Sequence, residues 1–277
     1  MQTEKTAIKV AIIDLYDNYP NQGMRNFVEL VERYRNQHRV NLVYQIFDLR
    51  AKHEIPDTSF DVYISSGGPG SPIDTADTEW ERLYWELIDA ISVHNASGSL
   101  NKKHVLFVCH SFQLMCRRYG LGVVNMRQSE SFGIMPVHQT GAAASEFLFE
   151  GLADPFFAVD SREWQVIHPN EEKFREIGAT LLAIEKERPH IDLPRAMMAI
   201  RFNEYFFGTQ FHPEADPIGM RAHMLDEERK QSMIEEYGQK KYDNMLNELN
   251  NPDQILLTHN TIIPNFLYQA LHSLEEA

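Results

Sequence analysis

The chain has 277 residues, 43% of them hydrophobic, which suits a globular protein with a sizeable core, built as one α/β domain with an addition or as two small domains. Its 40 acidic residues outnumber 26 basic ones, a formal charge of −14 that argues against a phosphate-backbone partner, so no nucleic acid is expected. No apolar run reaches the ~18 residues a membrane helix needs and no basic-then-apolar leader opens the chain, so no membrane contact and a cytoplasmic location are expected.

Strand and helix patterns alternate through the first part of the chain. Ile8 to Leu15 reads as a strand, and Met24 to Arg35 as an amphipathic helix with Phe27, Val28, Leu30, Val31 and Tyr34 inward. Val40 to Phe47 and Phe60 to Ser65 are the next strands, the latter running into Ser66-Gly67-Gly68-Pro69-Gly70-Ser71-Pro72. Thr78 to Val93 carries Trp80, Leu83, Leu87, Ile88 and Ile91 at helical spacing; His104 to Val108 is a strand and Ser111 to Tyr119 the helix after it. The pattern then changes to shorter, partly antiparallel strands: Val123 to Met126, Phe132 to Val137, Phe156 to Val159, Trp164 to Ile167, Leu181 to Ile184, Met197 to Phe202 and Phe206 to Phe211. Met220 to Leu249 is charged and helix-prone, with Met233, Tyr237, Met245 and Leu249 roughly on one stripe, and a helix around Ile263 to Leu274 ends the chain. The expectation is an α/β fold, a flavodoxin-like open sheet, mostly parallel, with helices on both faces and a C-terminal helical extension. Residues 1–215 would form the α/β domain and 216–277 the extension packed on it, as a lid or an oligomer contact, so a homo-oligomer is allowed for.

The chemistry gathers at strand ends. Cys109 sits at the corner between an apolar strand and a helix, where free N–H groups favour the reactive thiolate. Cys116 lies one heptad further along the same helix, roughly 10 Å away by helical rise, too far for a disulfide and placed as a core residue. Far downstream, His212 and Glu214 stand two apart on an extended stretch, so both face one way and Glu214 can orient an imidazole that activates Cys109. Cysteine nucleophile, histidine base and carboxylate form a hydrolase-type triad. In an open parallel sheet the glycine loop after the third strand shares the carboxyl edge with Cys109, and its N–H groups, with that of His110, suit a tetrahedral oxyanion. Alone, the loop reads as a tight turn; as a phosphate loop it lacks Gly-Lys-Ser/Thr. The twelve histidines show no metal-ligand spacing, so no metal is expected.

Together the three motifs resemble the class I glutamine amidotransferase family, whose members carry a Gly-Gly-Pro loop, a Gly-x-Cys-x-Gly-x-Gln elbow and a Gln-Phe-His-Pro-Glu. Gly67-Gly68-Pro69 and Gln210-Phe211-His212-Pro213-Glu214 match in order, and the elbow matches at Cys109 and Gln113. The resemblance spans roughly residues 8–215 and is nearest in flavour to the amidotransferase part of GMP synthase. It implies that Cys109 attacks the side-chain amide of glutamine, His212 transfers protons and Glu214 orients His212. It further implies that Gly68 and His110 supply oxyanion N–H groups, that Gly67 and Gln113 help seat the glutamine, and that no cofactor is needed. Ser131-Phe132-Gly133-Ile134 resembles the family's Glu-Ile-Gly-Trp strand and puts Ser131 and Phe132 beside substrate. The family's usual partner is an ammonia-accepting synthase, and this chain carries no Ser-Gly-Gly-x-Asp-Ser pyrophosphatase loop of its own.

Three departures widen the reading. Phe107 and Ser111 stand where the elbow has glycines, the Glu-Ile-Gly-Trp acid is missing, and Asp160-Ser161-Arg162-Glu163-Trp164 replaces Trp-His-Gly-Asp. A γ-glutamyl peptide hydrolase, an acyl transferase on the same thioester, or a binding module with weakened turnover remain as alternatives to glutamine hydrolysis.

Overall fold

A computed structural model describes residues 7–190, 192–249 and 253–275. In chain order its elements are β1 (Ile8–Asp14), α1 (Gly23–His38), β2 (Leu42–Asp48), the single turn α2 (Leu49–Lys52), β3 (Val62–Ser65), α3 (Glu79–Ala96), β4 (His104–Val108) and α4 (His110–Tyr119). There follow β5 (Val123–Gln139), β6 (Phe156–Ile167), α5 (Glu171–Ile177), β7 (Thr180–Glu185), β8 (Met197–Arg201) and β9 (Phe206–Thr209). Four helices close the described chain: α6 (Pro217–Leu225), α7 (Glu227–Tyr237), α8 (Gln239–Glu248) and α9 (Asp253–Glu275).

All nine strands join one sheet in the order β2-β1-β3-β4-β9-β8-β7-β5-β6. The first five neighbours pair in parallel and the rest antiparallel, so β8 and β5 oppose the direction the other strands share. Short apolar strands alternate their side chains between two buried faces, as a doubly covered sheet requires. Val10, Ile12, Val62, Ile64, Leu106 and Val108 point to the face covered by α1 and α9. Ala11, Ile13, Tyr63, Val105 and Phe107 point to the face covered by α3, α4 and α5. Each such large apolar side chain contributes about 1.5–3 kcal/mol by burial, so the sheet centre carries much of the fold's stability.

The sheet's second half is more continuous than the sequence pattern predicts. Val123–Met126 and Phe132–Val137 are one strand, β5, whose pairing with β6 shifts register between Met126 and Ser131. The polar residues Arg127 to Glu130 that look like a connection are an irregularity inside a two-stranded ribbon. The short helix α5, capped by Asn170 Oδ1 accepting from Lys173 N at 3.2 Å, has no counterpart in the expected elements.

After β9 the chain divides its roles. Ile262, Ile263, Phe266, Leu267 and Leu271 of α9 belong to the main core beside α1. Met224, Met233, Tyr242, Met245 and Leu249 instead build a separate apolar cluster over Phe132 and Ile134 of β5. Met233 and Met245 are thus buried as expected, whereas the side chain of Tyr237 lies outside those described. The final helix begins well before Ile263 and runs through Pro264.

Candidate active site

The carboxyl ends of the adjacent strands β1, β3, β4 and β9 meet at one edge, and a cavity of about 440 Å³ opens there. Tyr16, Cys109, Gln113, Phe132, Arg162 and His212 are among its lining residues. Chain reversal between β1 and β3 creates this crevice, the usual place for a ligand in an open α/β sheet.

Cys109 ends β4 and caps α4 with φ 50° and ψ −97°. A non-glycine residue held there stores roughly 1–3 kcal/mol of strain, which the surrounding bonds must hold. Three of them do. Cys109 N donates to Thr209 O at 2.7 Å, Gln113 N donates to Cys109 O at 3.0 Å, and the Ser111 hydroxyl accepts from Val108 N at 2.8 Å while within 2.9 Å of Ser65 O. Ser111, at one of the elbow's glycine positions, therefore ties β3 to β4 instead of loosening the turn. Phe107, at the other, points away from the cavity, its ring 5.8 and 5.7 Å from those of Phe202 and Phe206. Gly208, opposite Phe107 in register, leaves the room: a Cβ there would stand 2.8 Å from the Phe202 ring and 3.0 Å from that of Phe112.

The loop after β3 needs its glycines for close approach. A Cβ on Gly68 would meet Leu15 O at 2.3 Å, and one on Gly67 would meet His212 Cε1 at 3.0 Å and Cys109 Cβ at 3.4 Å. Arg50 pins the loop by donating from Nη1 to Pro69 O at 2.7 Å and Leu15 O at 3.2 Å. The first-turn N–H groups of α4, His110 among them, have no intrahelical acceptor and lie at this edge. The His110 ring itself is buried, which lowers its pKa to about 3, so it stays neutral.

His212 Nδ1 lies 2.7 Å from Glu214 Oε1. The pairing is not made on a regular strand: β9 stops at Thr209, His212 N bridges to Val159 O at 2.9 Å, and a turn closed by Ala215 N to His212 O brings Glu214 back. Glu214 is 1% exposed and its backbone carbonyl faces His259 Nδ1 of α9 at 2.9 Å. Burial pushes the His212 pKa down, but the charges of Glu214 and Cys109 and hydrogen bonds to both outweigh it and hold the ring well above its ordinary value. Cys116 is fully buried, and desolvation pushes its thiol well up.

The other expected contacts divide. Gln113 is buried, its amide donating to Trp164 O and Gln210 Oε1, both at 3.1 Å, and Phe132 lines the cavity. Ser131 is also buried, but its hydroxyl is donated to Asp160 Oδ2 at 2.7 Å. Asp160 in turn accepts from Arg162 Nε at 2.8 Å, and Arg162 Nη2 reaches Glu185 Oε1 at 3.2 Å.

Three lining or neighbouring groups have no role assigned from the sequence, although Gln210 and Arg162 stand in segments it singles out. Gln210 Nε2 donates to Cys109 Sγ at 3.7 Å, and the thiol lies as far from Ser161 O. The Tyr16 hydroxyl sits within 3.4 Å of where a Cβ on Gly67 would be. Burial, then the charges of Glu214, Cys109 and Asp14, push its phenol pKa well up, so it stays a proton donor. Its position at the end of β1 is a usable signal; for the role of the buried Arg162, an isolated charge between strand residues, there is none. Among the described residues no group of three His, Cys, Asp or Glu could hold a metal ion, and no helix is long and apolar enough to cross a membrane.

The profile of the family described as Glutamine amidotransferase class-I matches residues 11–232. Aminodeoxychorismate synthase of Saccharomyces cerevisiae is 29% identical over 156 residues, which is 56% of this chain and only 18% of that protein's length. Among solved structures, a glutamine amidotransferase from Thermotoga maritima is similar over 96% of this chain and 99% of its own, with a TM-score of 0.67 at 15% identity. A protein from Thermoplasma acidophilum described as a GMP synthase subunit is similar over 98% and 97% of the two chains, with a TM-score of 0.53 at 17% identity.

Proposed function

The chain belongs to the class I glutamine amidotransferase family, and from that premise we propose that it hydrolyses the side-chain amide of glutamine through a thioester on Cys109. The observation that carries the reading is the convergence at Gly67: His212 Cε1 and Cys109 Cβ both face its α-carbon, with Glu214 Oε1 2.7 Å from His212 Nδ1. Cys109 Sγ attacks the amide carbon, and the N–H groups of Gly68 and His110 hold the oxyanion. His212 passes a proton to the departing nitrogen, so ammonia leaves and the acyl–sulfur bond remains. The same imidazole then takes a proton from water, whose oxygen attacks the thioester and releases glutamate and the free thiol. Glu214 fixes the imidazole's orientation and favours its charged form. Gln113 with Gln210 shapes the wall beside the sulfur, and Gly67 and Phe132 bound the substrate. Ser131 acts through Asp160.

Residues 1–215 would carry this chemistry, with α6 to α8 of the 216–277 extension closing the cavity from the β5 side and α9 packed on the main core. The yeast relative is a synthase, which supports an ammonia-accepting synthase as the partner. Both cysteines are free thiols, which suits a reducing cytoplasm. An electrophilic glutamine analogue tests the reading: it should alkylate Cys109 and spare Cys116, free glutamine should protect, and Cys109→Ser should abolish labelling and glutamate release. Loss of His212 should slow labelling by about 10²–10⁴-fold. Equal modification of both cysteines, unchanged by glutamine or by His212→Ala, would overturn it.

A further inference from the structure

A second, separate cleft of about 230 Å³ lies on the outer ribbon, lined by Asn125, Arg127, Ser129, Gln165 and His168 of the β5–β6 side and by Arg188 with Pro194 of the β7–β8 connection. Nothing in the proposed chemistry uses it. Its arginines are paired with carboxylates but outnumber them, in a chain that is otherwise strongly acidic. Beneath it, three guanidinium groups, Arg127, Arg162 and Arg188, share two carboxylates, Asp160 and Glu185. Glu185 Oε1 takes both Arg127 Nη2 at 3.1 Å and Arg162 Nη2 at 3.2 Å, and its Oε2 takes Arg188 Nη2 at 2.9 Å. Among the described residues, two polar atoms of the lining, Arg188 Nε and Asn125 Oδ1, are buried without a hydrogen-bond partner. An unmet guanidinium donor is costly to leave in a cleft wall, so Arg188 Nε points to an acceptor ligand, whereas the Asn125 oxygen, itself an acceptor, does not.

We propose that this cleft binds a small oxyanion, a carboxylate or phosphate group, against Arg127 and Arg188. The guanidinium forks match the geometry of such groups, and the Gln165 amide and the Ser129 hydroxyl offer further polar contacts at the wall. Burial and the nearby Arg162 charge already hold the Arg127 guanidinium below its ordinary pKa, a repulsion that an added negative charge relieves. The cleft is one shared carboxylate, Glu185, from the Arg162 that lines the catalytic cavity, yet binding there needs no turnover.

The test is titration of the full chain with inorganic phosphate and, separately, acetate at constant ionic strength, read by calorimetry and by melting temperature. The expected result is saturable binding of at least one of the two with a melting temperature that climbs with concentration, the preferred anion identifying the group. Arg188→Gln should weaken that binding at least tenfold. Gln128→Glu, on an exposed rim residue, should weaken it too by charge repulsion. Absence of saturable binding of both anions to the unaltered chain, or equal affinity in both variants, would overturn the proposal. Because no readout uses glutamine, failure here leaves the amidotransferase reading untouched, and failure of that reading leaves this one.

Discussion

At the scale of single residues, the two substitutions at the elbow have opposite physical logic. Ser111 replaces flexibility by three hydrogen-bonding contacts, whereas Phe107 replaces it by packing on the far face of the sheet. Restoring the family's glycine by Phe107→Gly should therefore not improve the elbow. It should empty a fully buried site and destabilise the chain by about 3–5 kcal/mol, measured as a lower urea midpoint. Unchanged stability would show that Phe202 and Phe206 collapse into the space at no cost. Tyr16 gives a sharper functional test. Its hydroxyl would lie 2.5 Å, and Glu214 Oε1 3.2 Å, from a Cβ placed on Gly23, so the phenol lies on the Glu214 side of the His212–Glu214 pair. Tyr16→Phe should lower kcat/KM for glutamine about tenfold, the loss of a proton donor beside the charged groups of the site, while the fold stays intact. A variant with unaltered kcat/KM would make Tyr16 a wall and nothing more.

At the scale of elements, the tail is two structures with different duties. Phe266 of α9 is fully buried in the main core, so Phe266→Ala should cost about 3–5 kcal/mol. The α6–α8 cluster instead rests on β5 at Gly133, whose φ of 130° suits glycine and whose absent Cβ would stand 3.5 Å from Met245 Sδ. Gly133→Ala should cost about 1 kcal/mol or more, because that φ strains any side chain there, and should shift Phe132 beside it, raising the KM for glutamine along with a lowered melting temperature. A melting-temperature loss with KM unchanged would separate the helical cluster from the site. The first half of the fold is legible in the sequence because short apolar strands and 3.6-period helices obey local rules: β4 keeps its expected bounds, and Cys109, His212 and Glu214 stand out by chemical type. What is hidden depends on distant partners. The polar run Arg127 to Glu130 reads as a break, yet pairing with β6 on both sides of it makes it an irregularity within one strand. The last helix reads as starting near Ile263, yet Ile262 in the main core and Ile255 in the α6–α8 cluster are buried ahead of it and carry the helix back to Asp253. Ser131 reads as a substrate contact, and only the fold reveals Asp160 as the acceptor of its hydroxyl.

At the scale of the whole molecule, stability should depend on pH through histidines kept neutral by burial. His104 has its pKa lowered to about 4 and His110 to about 3 by desolvation, and His259 is lowered as well. An unfolded chain binds protons at these positions near pH 6.5 while the folded one does not, so their contribution is present above that value and is lost as pH falls. Each of the first two should remove about 1.5 kcal/mol between pH 6.5 and pH 5, a window above most carboxylate titration. His212 has the opposite sign: its raised pKa contributes stability below pH 6.5 that disappears as pH climbs through the folded value. Three lowered rings against one raised make the net direction acid destabilisation, and urea midpoints should fall steadily from pH 7 to pH 5. His104 offers the cleanest check, because its ring lies away from the cavity with Nε2 2.8 Å from Ser273 Oγ of α9. His104→Asn should flatten the fall by roughly a third to a half while glutamine hydrolysis at pH 7 is kept. A midpoint that stays level between pH 7 and pH 5, or falls equally steeply in His104→Asn, would show that the buried ring is not where the acid sensitivity resides.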